Sequence, residues 1–229
     1  MKKRVRIIAA ACLAFAAISP RAYADTGSVG VGVKAGTLGI GGEVTVGIVP
    51  NLNIRSGYNA FNYNGTITKD NNPYDYTLKL NSFPLLVDWH PFNGSGFRMS
   101  TGVLFNNNKV DASGQMNTSV TFRIGDKEYT VSELGTLTGG VTVNSTAPYA
   151  GIGWGNAADD NDGGLSFTID LGVVFQGSPK VSLSPGNTNI YAKYPEFQAE
   201  LNKEIAKLES DIKNLQYYPV VSLGLAYGF

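Results

Sequence analysis

His90, in Asp88-Trp89-His90-Pro91, is the only imidazole the chain offers for acid–base work. A nucleophile, its base and an orienting group must lie within hydrogen-bond reach of one another. Neither Ser95 nor Ser100 stands in a motif that marks it as the nucleophile. Metal chemistry has little more to draw on. Asp159 to Gly164, DDNDGG, looks like the first half of a calcium loop, but the twelfth place counted from Ala158 is Ile169, where an EF-hand carries a bidentate glutamate. The glycine runs GVGVKAG and GTLGIGG do not open helices and hold no lysine at Walker spacing. The residues therefore predict no catalytic, cofactor or metal site.

What remains is charge. Lys34, Glu43, Arg55, Asp88, His90, Arg98 and Asp170 all fall in stretches where apolar side chains alternate with small or polar ones, and each falls on the small side. Alternation of period two is the mark of a strand with two different faces. In SVGVGVKAG the apolar face is Val29, Val31, Val33 and Ala35. In LGIGGEVTVGI it is Leu38, Ile40, Val44, Val46 and Ile48, with Glu43 opposite. Leu52, Ile54 and Tyr58 follow, with Arg55 opposite. A fourth strand from about Asp75 to His90 has Leu78 and Leu80 on one parity and Phe83, Leu85, Val87 and Trp89 on the other. That change predicts a β-bulge near Asn81-Ser82. Phe97 to Phe105, Tyr149 to Gly155, Leu165 to Phe175 and the terminal stretch Tyr217 to Phe229 complete a set of eight.

The solvent of the large face follows from the N-terminus and from energetics. Lys2, Lys3, Arg4 and Arg6 precede an apolar run of 12 residues, Ile7 to Ile18, and Ala22-Tyr23-Ala24 reads as a cleavage site. Residues 1–24 are thus expected to be a Sec-type signal peptide, the run being short of the ~20 residues that span a bilayer as a helix, and residues 25–229 the mature domain. The leader holds the one cysteine and five of the 18 basic residues but none of the 18 acidic ones, so the mature chain carries a net charge near −5. It has no basic stripe for nucleic acid and no thiol for a disulfide. No later segment is long and apolar enough to span as a helix. In hydrocarbon only a closed sheet pairs every backbone group. The glycine-rich small face is ill suited to solvent, and aromatics gather at strand ends: Tyr58, Phe61 and Tyr63; Tyr74 and Tyr76; Trp89, Phe92 and Phe97; Trp154; Phe175; Tyr217 and Tyr218; Tyr227 and Phe229. These read as two interfacial girdles. A soluble sandwich or lipocalin-like barrel is the structural rival. Short links after strands two, four and six alternate with longer ones after three, five and seven, the pattern of short periplasmic turns and long extracellular loops.

With the terminal alternation YYPVVSLGLAYGF, the leader and eight strands, the chain resembles the small eight-stranded outer-membrane proteins of Gram-negative bacteria, of the OmpA-transmembrane and OmpW-like kind. NLNIRSGYNAF and LLVDWHPFNGSGFRMSTGV are similar to stretches of a broad, mostly uncharacterised group of outer-membrane barrels. The resemblance implies a closed antiparallel eight-stranded transmembrane β-barrel in the cell outer membrane. Its implied partners are outer-membrane lipid and lipopolysaccharide, together with the BAM assembly machinery. Val221, Leu223, Leu225, Tyr227 and Phe229 match the C-terminal assembly signal of that class. Lipid A-trimming enzymes of such membranes use a histidine and a serine on the outer barrel face near the extracellular rim, whereas His90 maps to the lumen beside a periplasmic turn.

Two readings of the luminal charges stay open: a plug of ion pairs filling a narrow barrel, or a polar conduit for small or apolar solutes. The Asn106 to Ser145 segment reads as an outer loop with one hairpin, VTFRIGDKEYTV, turning at Gly125-Asp126. Between Tyr194 and Tyr217, Phe197, Leu201, Ile205, Leu208, Ile212 and Leu215 recur at helical spacing. A helix over about 195–216 is expected in the last extracellular loop, with Pro195 in its first turn and Glu209 paired to Lys213. It would fold back over the barrel mouth or present its stripe to an extracellular partner. The expected role is structural or surface-interacting.

Overall fold

The structure is a computed structural model that describes residues 27–69, 72–92, 94–114, 121–158 and 164–229. The expected leader at 1–24, Asn93 and the Asp/Asn turn at 159–163 lie outside the described residues. Five consecutive strands open the chain: β1 (Val29–Gly36), β2 (Gly39–Val49), β3 (Leu52–Lys69), β4 (Asn72–Trp89) and β5 (Phe97–Asn106). An insertion follows, made of β6 (Lys109–Gly114), β7 (Thr121–Ile124), β8 (Lys127–Thr130), α1 (Val131–Leu134) and β9 (Thr138–Thr142). After β10 (Thr146–Trp154) and β11 (Gly164–Phe175) come β12 (Lys180–Ser184), α2 (Ile190–Lys193), α3 (Phe197–Asp211) and a 3₁₀ turn at Lys213–Gln216. β13 (Tyr217–Gly228) closes the chain.

Eight of these strands close into a ring in the order β1-β2-β3-β4-β5-β10-β11-β13, every neighbour antiparallel. Following the register around the ring from Gly228 leads through Gly30, Thr45, Arg55, Leu86, Gly102, Tyr149 and Val174. It returns to β13 at Tyr218, ten residues away. An eight-stranded ring with that stagger tilts its strands by about 40° and leaves an interior that side chains can fill. The alternation in the sequence becomes inside and outside. Val33, Ile40, Val44, Leu85, Met99, Phe167, Leu171 and Leu223 lie exposed on the outer wall, while Glu43, Arg55, Asp88, Arg98 and Asp170 are buried within.

β4 contains no bulge at Asn81-Ser82, contrary to the parity change in its sequence. Its register with β3 runs unbroken from Asn59↔Ser82 to Lys69↔Asn72, and Leu80, Ser82, Leu86 and Asp88 are all buried on one parity. What changes at this point is the partner. β4 pairs with β5 up to Ser82 and with β6 from Lys79 onward. The strand has left the ring, and its inward parity now faces a second apolar core instead of a polar lumen.

That second core belongs to a five-stranded extension, β3-β4-β6-β9-β12, which continues the ring wall beyond its long-loop end. The β7–β8 hairpin turns at Gly125-Asp126 as its sequence predicts, with Gly125 at φ +60°. Phe122, Ile124, Tyr129, Val131, Leu134, Ile190, Phe197 and Leu201 form its buried centre. Tyr74 packs here against Phe122, and Tyr63 and Tyr76 pair on the extension with ring centroids 6.1 Å apart. These three rings, with Phe61, therefore stand outside the girdle in which the sequence pattern groups them.

Candidate functional site

Parity delivers six of the seven ionisable residues singled out in the sequence into one connected network inside the ring. Arg55, 2% exposed, is its hub. Its Nε and Nη2 donate to the two oxygens of Asp88 at 2.7 and 3.1 Å, and its Nη1 and Nη2 donate to the two oxygens of Asp170, both at 3.1 Å. A further bond at 3.2 Å runs from Nη1 to Glu43, whose Oε2 also accepts from Lys34 Nζ at 2.7 Å. Arg98 closes the cluster by donating to Asp170 at 2.7 Å and to the carbonyl of Gly155. Three cations face three carboxylates, so the buried group is neutral. This is the condition under which ions withstand removal from water. His90 stands apart: it is buried beneath the network and joins no ion pair among the described residues.

The small residues on the luminal face make room for the large ones. The hydroxyl of Tyr149 lies where side chains on Gly151 and Gly172 would project, at 2.5 and 2.4 Å from their ideal Cβ positions. Arg98 occupies the equivalent space over Gly153, and Glu43 that over Gly57. Glycine on one strand is thus the socket for a side chain from the next.

Above the charges, toward the long-loop end, the lumen turns apolar. Leu38, Leu86, Leu104, Ala147, Tyr149, Val174 and Val220 pack into a buried layer. Leu38 reaches it because the β1–β2 turn, Thr37-Leu38, is drawn inward. Thr37 Oγ1 donates to Pro219 O at 2.9 Å, its N to Val221 O at 3.0 Å, and Tyr218 Oη to Thr37 O at 2.5 Å. Between the two layers lies a cavity of about 20 Å³, enough for about one water. At the short-turn end Asn53 Nδ2 donates to Asn156 Oδ1 at 2.8 Å, and Ala157 and Ala158 fold into the base of the ring. The described residues thus fill the lumen at each of these levels.

Several contributors escape a motif-based reading. Ser100 and Ser222 donate to Asp88 and Asp170 at 2.5 and 3.2 Å, and Tyr149 supplies a buried ring to the lumen. Parity is the signal that finds them, since each shares the face of a charged or glycine neighbour. Ser95 accepts from the Phe97 amide at 3.2 Å, so both serines near His90 in sequence are engaged elsewhere.

The helix stripe divides. Phe197 and Leu201 are buried in the outer core, Ile205 packs at its edge, Leu208 and Ile212 are half-buried, and Leu215 is exposed. β12 and β7 are the principal neighbours of α3, which thereby covers the extension sheet and not the mouth of the ring. The helix ends at Asp211, so Lys213 lies in the 3₁₀ turn, and Glu209 accepts from the Val181 amide at 3.0 Å in place of the expected lysine pair. Pro195 precedes the N-cap, Glu196, and stands outside the helix. On β13, Val221, Leu223, Leu225 and Tyr227 lie exposed on the outer wall, and Phe229 packs edge-to-face against Tyr227 with centroids 5.1 Å apart.

The closed ring, apolar outside and charged within, is a closed eight-stranded antiparallel barrel of the outer-membrane type. Two crystal structures share its fold. Acinetobacter baumannii CarO2 superposes with a TM-score of 0.57 at 18% identity, covering 90% of this chain and all (100%) of that one. Acinetobacter baumannii CarO gives 0.56 at 20% identity, over 88% and 98%. The likeness is one of fold. No protein-family model and no curated protein matches the chain.

Proposed function

We propose that this protein is an integral outer-membrane barrel, reached by Sec-type export, whose role is structural and surface-interacting and neither conductive nor catalytic. The observation that carries the reading is the double closure of the lumen: a neutral ion-pair layer and an apolar layer lie one above the other. A conduit needs continuous polar space, and the space between these layers is about 20 Å³. A lipid-facing catalyst needs its histidine outside, and His90 is 1% exposed within.

In this setting the exposed belt of valine, leucine and phenylalanine faces outer-membrane lipid and lipopolysaccharide, and the extension and α3 stand on the extracellular side. The remaining apolar edge of the stripe, Leu215 above all, is available there to a partner. Val221, Leu223, Leu225, Tyr227 and Phe229 serve assembly by the BAM machinery. The test is a planar-bilayer recording on protein that migrates heat-modifiably on SDS gels. The expected trace is flat; reproducible conductance steps, suppressed by enlarging Ser222, would establish a conduit instead.

A further inference from the structure

One face of the extension sheet holds the second core, and the three described rows of the other carry no apolar side chain. Three cross-strand rows make up this outward face over β3, β4, β6, β9 and β12. The lowest is Asn62, Lys79, Lys109, Thr142 and Lys180; the next is Asn64, Thr77, Asp111, Gly140 and Ser182; the highest is Thr66, Asp75, Ser113, Thr138 and Ser184. On β4 the same parity continues downward through Asn81 to Phe83, Leu85 and Val87, which lie exposed on the barrel wall. The crossing point is marked by Tyr58, exposed on the wall, whose hydroxyl accepts from Asn81 Nδ2 at 2.7 Å, as an interfacial tyrosine turns its polar end to water.

Two details of this face go beyond a solvated surface. Lys79 and Lys109 are direct cross-strand neighbours, an arrangement that like charges disfavour. They share one carboxylate, Asp111, at 3.4 and 3.7 Å, and Lys180 in the same row has no ion pair among the described residues. The row nearest the barrel wall is therefore in cationic excess. Above it, Gly140 interrupts the lattice and opens a trough of about 370 Å³ walled by Asp75, Thr77, Asp111, Ser113, Ser182 and Ser184. Hydroxyls that donate and accept, beside carboxylates that accept, with no aromatic or aliphatic anchor of the kind protein interfaces use, fit a polyol.

We propose that this face binds the phosphorylated saccharide head group of an outer-leaflet glycolipid. Acyl chains lie on Phe83 and Leu85, a phosphate is held at Lys79 and Lys109, and sugar hydroxyls lie in the trough. The inference rests on the membrane placement proposed above.

The experiment titrates detergent-purified, heat-modifiable protein with rough-type diphosphorylated lipopolysaccharide, its dephosphorylated form and phosphatidylglycerol, reading bound lipid by native mass spectrometry. The expected results are saturable binding of the phosphorylated form and about tenfold or more weakening in Lys79→Gln/Lys109→Gln, near the effect of two surface lysines on an anionic interface. The equally charged control Lys207→Gln/Lys213→Gln, on the extension helix and the 3₁₀ turn that follows it, should bind as wild type does. Gly140→Val, whose Cβ would be crowded by the movable Ser182 hydroxyl at 3.0 Å and reach Val110 O and Asp111 Oδ1 only at ordinary contact distances of 3.8 and 3.9 Å, should also weaken binding by filling the trough. Phosphatidylglycerol binding as tightly as the glycolipid, or Gly140→Val binding unchanged, would overturn the saccharide site. Equal affinity for the dephosphorylated form would overturn the lysine clamp. A protein that stays in solution without detergent would overturn the membrane placement itself, which the heat-shift control reads separately.

Discussion

The barrel and its extension bury opposite things. Inside the ring lie Arg55, Asp88 and Asp170, with valines and phenylalanines outside; inside the extension lie Phe197, Leu134 and Ile124, with Lys193, Glu133 and Lys127 outside. On the membrane placement proposed above, one chain makes both because it spans two solvents. Where the outer wall meets hydrocarbon, polar groups must be satisfied inward; where it meets water, apolar area is driven inward. β4 shows the changeover within a single strand, from Asp88 to Leu80 on one unbroken parity.

The comparison can be broken most severely at Arg55. Arg55→Ala leaves Glu43, Asp88 and Asp170 with too few partners, and breaking a buried ion pair costs about 3–5 kcal/mol. The expected outcome is loss of the heat-modifiable band, or a large fall in its urea midpoint, with the extension failing only as its support fails. An unchanged midpoint would show that water satisfies the carboxylates, and that the lumen is not a dry ion-pair core.

Phe197→Ala is the mirror experiment. Removing a fully buried ring from the outer core should cost roughly 3–5 kcal/mol locally, and limited proteolysis should then cut the β7–β8 hairpin and α3 while the barrel keeps its heat shift. Equal loss of the barrel would show that the two cores fold as one unit.

Acid should separate the two halves more gently. The Tyr194 hydroxyl, the Thr130 amide and Lys193 all bond the Glu133 carboxyl, holding its pKa down from the usual 4.5 to about 2. A carboxylate with a depressed folded pKa stabilises fully above its unfolded value and loses that contribution as pH falls through the folded one. Protection of α1 and α2 against hydrogen exchange should accordingly drop between pH 4.5 and about 2, and Glu133→Gln should flatten the profile. The smallest effect is expected at Lys127, paired with Glu196 at 2.5 Å but exposed on both sides. Such pairs contribute little in water, so Lys127→Gln should leave the proteolytic half-life of the extension at the wild-type value, as should added salt.

Sequence and structure divide along the same line as the two solvents. Period-two alternation is local, and it alone placed Lys34, Glu43, Arg55, Asp88, Arg98 and Asp170 on one face and Leu223, Leu225 and Tyr227 on the other, because a strand has only two sides. The β7–β8 turn was equally legible, since Gly125-Asp126 supplies its own conformation. Helical spacing likewise located α3. The extension sheet was not legible: β6, β9 and β12 are short, rich in glycine, serine and threonine, and become strands only because β4 outruns the ring and offers them an edge. Nor could spacing show that Arg55 bridges Asp88 and Asp170 from distant strands, or that Tyr149 lies over Gly151 and Gly172. Those contacts follow from the ten-residue stagger of the closed ring, a property of how strands are aligned with one another. Which face each side chain takes was decided by the sequence; which side chains meet there was decided by closure.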